Sequence, residues 1–166
     1  MAQADEAGVD ATDLDDSIDS GDPETIRDGI RRLRARLHPD FAEQVDTADR
    51  AVLECALWSS SDWTSGEPLD GAYGVDDFDA ATAAQLRADT DAFIADNHEA
   101  LSRVIDASGG SYDWSNVGHD FWLTRNGHGA GFWDRGFGED GKALSEAAHA
   151  YGAMDLYAGD DGRIYG

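Results

Sequence analysis

Between Gly118 and Gly136 the chain reads GHDFWLTRNGHGAGFWDRG, and this one stretch gathers His119, Asp120, Arg125, His128, Asp134 and Arg135. A His held against an Asp is the minimum for general acid and base work, because the carboxylate fixes the imidazole tautomer and raises its basicity. An Arg beside such a pair can clamp a developing anion through its fork of donors. The candidate catalytic set is therefore His119 with Asp134 or Asp120, with Arg135 or Arg125 as anion clamp, and the reaction class is hydrolytic. The same four residues also make an ordinary cross-strand ion pair, which is the competing structural reading. Arg125, His128, Trp122 and Trp133 are the candidate binding residues.

What positions these groups depends on Asn126-Gly127, a dipeptide that favours two-residue hairpin turns because both turn positions need positive φ. A turn there predicts a β-hairpin over 119–134 in which Arg125 faces His128, Leu123 faces Ala130, Phe121 faces Phe132 and His119 faces Asp134. Side chains alternate along strands, so Phe121, Leu123, Ala130 and Phe132 take the core face. Trp122 then lies opposite Gly131, and Thr124 opposite Gly129. The alternative is a longer glycine-rich loop whose backbone approaches a ligand. At about 3.3 Å per residue the hairpin holds His119 and His128 roughly 20 Å apart, too far to share an ion. No metal is expected.

The surrounding elements follow from periodicity and punctuation. Residues 1–21 are acidic and nearly devoid of bulky apolar groups, which predicts a disordered tail ahead of a single domain over 22–166. Asp22-Pro23 opens a short helix carrying Ile26, Ile30, Leu33 and Leu37. Asp40 caps a second helix striped by Phe41, Val45, Ala48, Val52, Cys55 and Ala56, ending near Trp58. Residues 59–76 read as a long irregular connection that packs Trp63 and Tyr73 onto the core. Asp77 or Asp79 opens the clearest helix, which stops at Gly109-Gly110. A fourth helix spans Lys142 to Tyr151 with Gly152 as its stop, and short strands near 155–158 and 163–165 flank the turn AGDDG, with Leu156 and Ile164 inward. The fold class is α+β: helices packed on a small antiparallel sheet that includes the central hairpin.

Charge narrows the function. The 166-residue chain carries a formal net charge of -23, its only lysine is Lys142, and 41% of it is still hydrophobic, so it should fold. Such a balance suits molar salt, where the Debye length falls to about 3 Å and self-repulsion is screened. Direct nucleic-acid binding is not expected on this charge balance, since phosphate contacts need clustered cations. Arg27, Arg31, Arg32, Arg34 and Arg36 form the one basic cluster, read as a helix face pairing with the acidic tail or docking a partner. Cys55 is the single cysteine and, within AVLECALW, a buried thiol rather than a nucleophile. No stretch reaches the roughly 18 apolar residues of a membrane span, and no signal peptide is read at the start. No phosphate loop, dinucleotide fingerprint, His-Glu metal helix or nucleophile elbow is present, and GDDG matches a calcium loop only faintly, so no cofactor is expected.

Taken in order, ALWSS, PLD, GHDFWLTRNGHGAGFWDRG, LSEAAHAYG and DLYAGDDGRIY resemble the motifs of uncharacterised small proteins encoded by tailed phages and mobile elements, over roughly the last two-thirds of the chain from Val52. The resemblance implies a viral or proviral origin and assigns no catalytic role to any position. With the acidic surface it implies the cytoplasm of a haloarchaeal host.

The expected function is that of an accessory protein acting on a protein partner, with Trp63, Trp114, Trp122 and Trp133 as exposed anchors. The alternatives are the small hydrolase built on His119, and an acidic DNA mimic that inhibits a DNA-binding enzyme.

Overall fold

Phe41, Val45, Ala48, Val52, Cys55 and Ala56 recur at helical spacing, and all six are buried along α1, Phe41–Ser59. The stripe is as the periodicity predicts. Asp40 precedes the helix, but its side chain makes no capping bond. These positions come from a computed structural model that describes residues 40–166. The expected acidic tail and the expected helix over 22–37, with its arginine cluster, lie outside the described residues.

Asp79 is a true cap. Its Oδ2 accepts from the amides of Ala81 (2.9 Å) and Thr82 (3.2 Å), which opens α2, Ala80–Ala107. The helix ends where Gly109 and Gly110 turn to positive φ. Between α1 and α2 lie two short 3₁₀ turns, Leu69–Gly71 and Val75–Asp77. Leu69 is buried there and Tyr73 is half-buried, but Trp63 stands 81% exposed instead of packing on the core.

The expected hairpin over 119–134 is replaced by a helix, α3, Trp114–Arg125. Two local signals build it. Asp113 forms a capping box with Asn116: Asp113 Oδ1 accepts from the amides of Ser115 and Asn116, and Asn116 Oδ1 accepts from the amide of Asp113. At the other end Gly127 adopts φ +69°, its amide donates to Thr124 O (3.1 Å), and the His128 amide donates to Leu123 O (2.9 Å). That pair of bonds is a Schellman stop. Asn126 keeps φ at -91°, whereas the hairpin turn needs positive φ at both central residues. The glycine that was to reverse a strand therefore ends a helix.

Beyond it Phe132–Asp134 form a 3₁₀ turn, and α4 spans Gly138–His149, starting before the expected Lys142. Gly152 follows at φ +73°, past the helix end as expected. β1, Tyr157–Ala158, and β2, Ile164–Tyr165, pair antiparallel with Tyr157 opposite Tyr165 and Ala158 opposite Ile164. Leu156 and Ile164 are buried, as read from the sequence. This hairpin joins the start of α2 through a parallel bridge of Phe78 with Ile164 and a bond from the Asp79 amide to Ile164 O (2.8 Å).

The architecture is thus four helices with one two-stranded antiparallel sheet among the described residues, compatible with an α+β class. The helices pack mainly on one another. α1 and α3 form the principal pair, and Phe93 of α2 stacks on Phe121 of α3 with centroids 4.5 Å apart and meets the tilted ring of Phe132 at 5.5 Å. Phe121 and Phe132, expected as cross-strand partners, share this one core instead. No described helix is long and apolar enough to cross a membrane.

Candidate functional site

Three of the four candidate catalytic residues meet around Arg135, whose Nε also stands 4.0 Å from Asp134 Oδ1. Asp120, on the buried face of α3, accepts two bonds from Arg135, from Nε to Oδ2 (2.9 Å) and from Nη2 to Oδ1 (2.7 Å), and a third from the Tyr112 hydroxyl to Oδ2 (2.8 Å). The carboxylate is completely buried. A base must reach the proton it abstracts, and this one is sealed and saturated. Burial first, and then the charge of Asp120 and the bond to it, push the Tyr112 hydroxyl well above the usual phenol range. The bond to Asp120 raises the Arg135 guanidinium in turn. Tyr112 and Arg135 also line a cavity of about 550 Å³, with Arg103 and Asp140 paired at its rim at 2.7 Å. The trio clamps the 108–113 loop and the glycine-rich segment onto α3.

His119 stays apart. Its ring stands edge-on to Trp58, with centroids 6.4 Å apart, and no hydrogen bond joins it to Asp120 or Asp134 among the described residues. The expected facing of His119 and Asp134 depended on the strand register, which the helix removes. Asp134 accepts from the Gly131 amide (3.1 Å), within the 3₁₀ turn.

Arg125, expected to bind a ligand, is buried. Its Nη1 pairs with Asp89 Oδ2 (3.0 Å), Nε donates to Gly152 O (2.8 Å) and Nη2 to Tyr151 O (3.3 Å), so it ties α2 and α3 to the carbonyls beyond α4. Cys55 is fully buried with its Sγ toward His119 O (3.8 Å). Burial, assisted by the nearby Asp120 charge, pushes its thiol up to about 12, against thiolate chemistry.

His128 and Trp122 line one pocket. The C-terminal end of α1, the end of α3 and the irregular segment leading into β1 line a pocket of about 260 Å³ whose lining includes Ser60, Ser61, His128 and Asp155. Its frame is fixed. Trp122 Nε1 donates to Ser59 Oγ (2.8 Å), which itself donates to Cys55 O (2.6 Å). Asn126 Nδ2 donates to Trp122 O (3.0 Å), and its Oδ1 accepts from the Met154 amide (2.8 Å).

No family model, curated protein or solved structure matches the chain. The site is therefore read from its own chemistry. Ser60, Ser61, His128 and Asp155 are a polar lining with no side-chain hydrogen bond among them in the described residues. Among the described residues no group of three or more His, Cys, Asp or Glu is arranged to hold a metal.

The expected tryptophan anchors divide. Trp122 is buried, and Trp114 is half-buried with the His98 ring stacked on it at 5.6 Å. Trp63 and Trp133, 58% exposed, face outward. Sequence reasoning missed Ser60, Ser61 and Asp155, since nothing in their spacing relates a serine run after α1 to an acid before β1.

Proposed function

We propose that this chain is a small accessory protein that acts by binding a protein partner, with Trp63 and Trp133 as its anchors. The observation that carries the reading is the rigidity behind Trp63. Asp62 Oδ1 accepts from the amides of Thr64 (2.6 Å) and Ser65 (3.0 Å) and from the Thr64 hydroxyl. The Asp62 amide donates to Glu67 O (2.9 Å), the Gly66 amide to Asp62 O (2.7 Å), and Ser61 bridges Pro68 at the foot of the loop. A large aromatic held outward by a pre-ordered loop loses little entropy on docking, which is the economy of interface tryptophans. Trp133 follows the same logic: Phe132 beside it is fully buried and anchors the turn that displays it.

The acidic surface and the motif resemblance support a virus- or provirus-encoded protein working in a salt-rich cytoplasm. The test uses the full chain as bait in molar KCl, on extract of cells in which it is expressed from its native context. One protein should be retained by the parent chain and lost at least tenfold with Trp63→Ala or Trp133→Ala, while melting is unchanged because both side chains are exposed. Equal retention by parent and variants, or none by either, would overturn the proposal.

A further inference from the structure

We infer that the pocket formed by Ser60, Ser61, His128 and Asp155 receives a cationic side chain, the ammonium or guanidinium of a Lys or Arg on the bound partner. The inference rests on the partner-binding reading and names the chemistry that the partner must present. At about 260 Å³ the pocket lies below the roughly 300–1,000 Å³ of typical small-molecule sites, and is sized for one side chain.

Its polar groups choose the charge. The Asn126 amide and the Ser59 hydroxyl are committed to the frame through bonds to Trp122 and Met154 and to Cys55. The Asp155 carboxylate, the Ser60 and Ser61 hydroxyls and the His128 ring make no hydrogen bond or ion pair among the described residues, and all line the same space. Asp155 is the one residue of the lining with a charged carboxylate. Ammonium and guanidinium groups are all donor and no acceptor, so they match a carboxylate with hydroxyl and ring lone pairs. An anion would meet Asp155 at close range and a chain of net charge -23 at long range.

Position argues for a partner's side chain over a free amine. Ser61 both lines the pocket and bridges Pro68 at the base of the loop that presents Trp63. A chain that covers Trp63 therefore has the pocket beside it.

The probes are N-acetyl-arginine amide and N-acetyl-lysine amide, with N-acetyl-citrulline amide as the uncharged control, titrated into the ¹⁵N-labelled full chain and followed by amide shifts. The cationic probes should give saturable shifts confined to the neighbourhood of Ser60, Ser61, His128 and Asp155, and citrulline none. Asp155→Asn should weaken binding at least tenfold while the rest of the spectrum stays in place, since Asp155 is exposed and supports no other group. Shifts spread over the acidic surface, shifts indifferent to Asp155→Asn, or no shifts at all would overturn the inference. Those outcomes leave partner capture through Trp63 standing. Loss of the tryptophan dependence with the titration intact would instead sink the partner reading, leaving only the pocket's preference for a cationic group.

Discussion

Gly118 of α3 lies against the carbonyl oxygen of Ala48 in α1, so close that a Cβ on Gly118 would stand 2.3 Å from that oxygen and 2.9 Å from the Ala51 Cβ. The obstruction is backbone, which cannot swing aside as a side-chain tip can. Intrinsic propensity alone predicts that Gly118→Ala stabilises a mid-helix position, by up to about 1 kcal/mol. The helix contact predicts the opposite sign. Overpacking of this kind costs roughly 1–3 kcal/mol or more, so the thermal midpoint should fall by about 5–10 °C. A midpoint that rises would mean α1 and α3 are not apposed here.

The Asp89–Arg125 pair predicts a different loss. Its side chains are 3% (Arg125) and 12% (Asp89) exposed, and Gln85 Nε2 gives Asp89 a further bond at 2.7 Å. Removing one partner of a buried pair strands the other charge, at a cost of about 3–5 kcal/mol. Asp89→Ala should therefore lower stability by roughly 3 kcal/mol in urea unfolding. Glu54→Ala, which breaks the exposed Arg50–Glu54 pair at 2.8 Å, should cost only about 0.3–0.5 kcal/mol. Similar losses for the two variants would show that Arg125 is not buried as described.

These two contacts show what the sequence carries legibly and what it does not. α1 and α2 bury one face each, so their apolar stripes and the Asp79 cap are readable at the level of residues. The hairpin of Tyr157–Ala158 with Ile164–Tyr165 is readable from its turn. α3 is not, because residues 120–125 are buried without interruption. A helix surrounded by protein has no polar face and hence no period. Its caps were the only local signal, and the Asn126-Gly127 stop carries the same positive φ at glycine as a hairpin turn. Asp120 and Arg135 stood out by residue type, but as partners of His119 and not of each other, and their pairing fastens the fold. The pocket at His128 was half legible: His128 and Trp122 stood out, whereas Asp155 arrives from a segment that only the tertiary fold brings near.

Cys55 gives a prediction with a definite sign in pH. Its folded pKa, near 12, lies above the ordinary thiol value of 9.0 because burial, and then the Asp120 charge, oppose the thiolate. The thiol therefore contributes stability that is complete below pH 9.0 and is lost as pH rises toward 12. Between those values the parent's midpoint should fall more steeply with pH than that of Cys55→Ala, which lacks the group while sharing the other titrations. At pH 8 an aromatic disulfide reagent should leave the native thiol unmodified for hours and label it within minutes in guanidinium. Rapid labelling of the native chain would contradict the sealed position under α3.

The net charge of -23 predicts a large response to salt. Like charges of this number repel across the whole surface, and raising KCl from about 0.1 M to 1 M shrinks the screening length from about 10 Å to about 3 Å. The same salt weakens attractive pairs such as Arg103–Asp140, but 12 Lys and Arg stand against 35 Asp and Glu, so most carboxylates have no cation to pair with one to one. The buried Arg125–Asp89 and Arg135–Asp120 pairs are screened much less. Repulsion therefore dominates the balance. The thermal midpoint should climb by more than about 10 °C between 0.1 M and 2 M KCl, with most of the gain before 1 M, where screening saturates. A gain that keeps growing linearly to 2 M would point to salting-out of apolar surface as its cause, and a midpoint indifferent to KCl would remove the halophilic reading altogether.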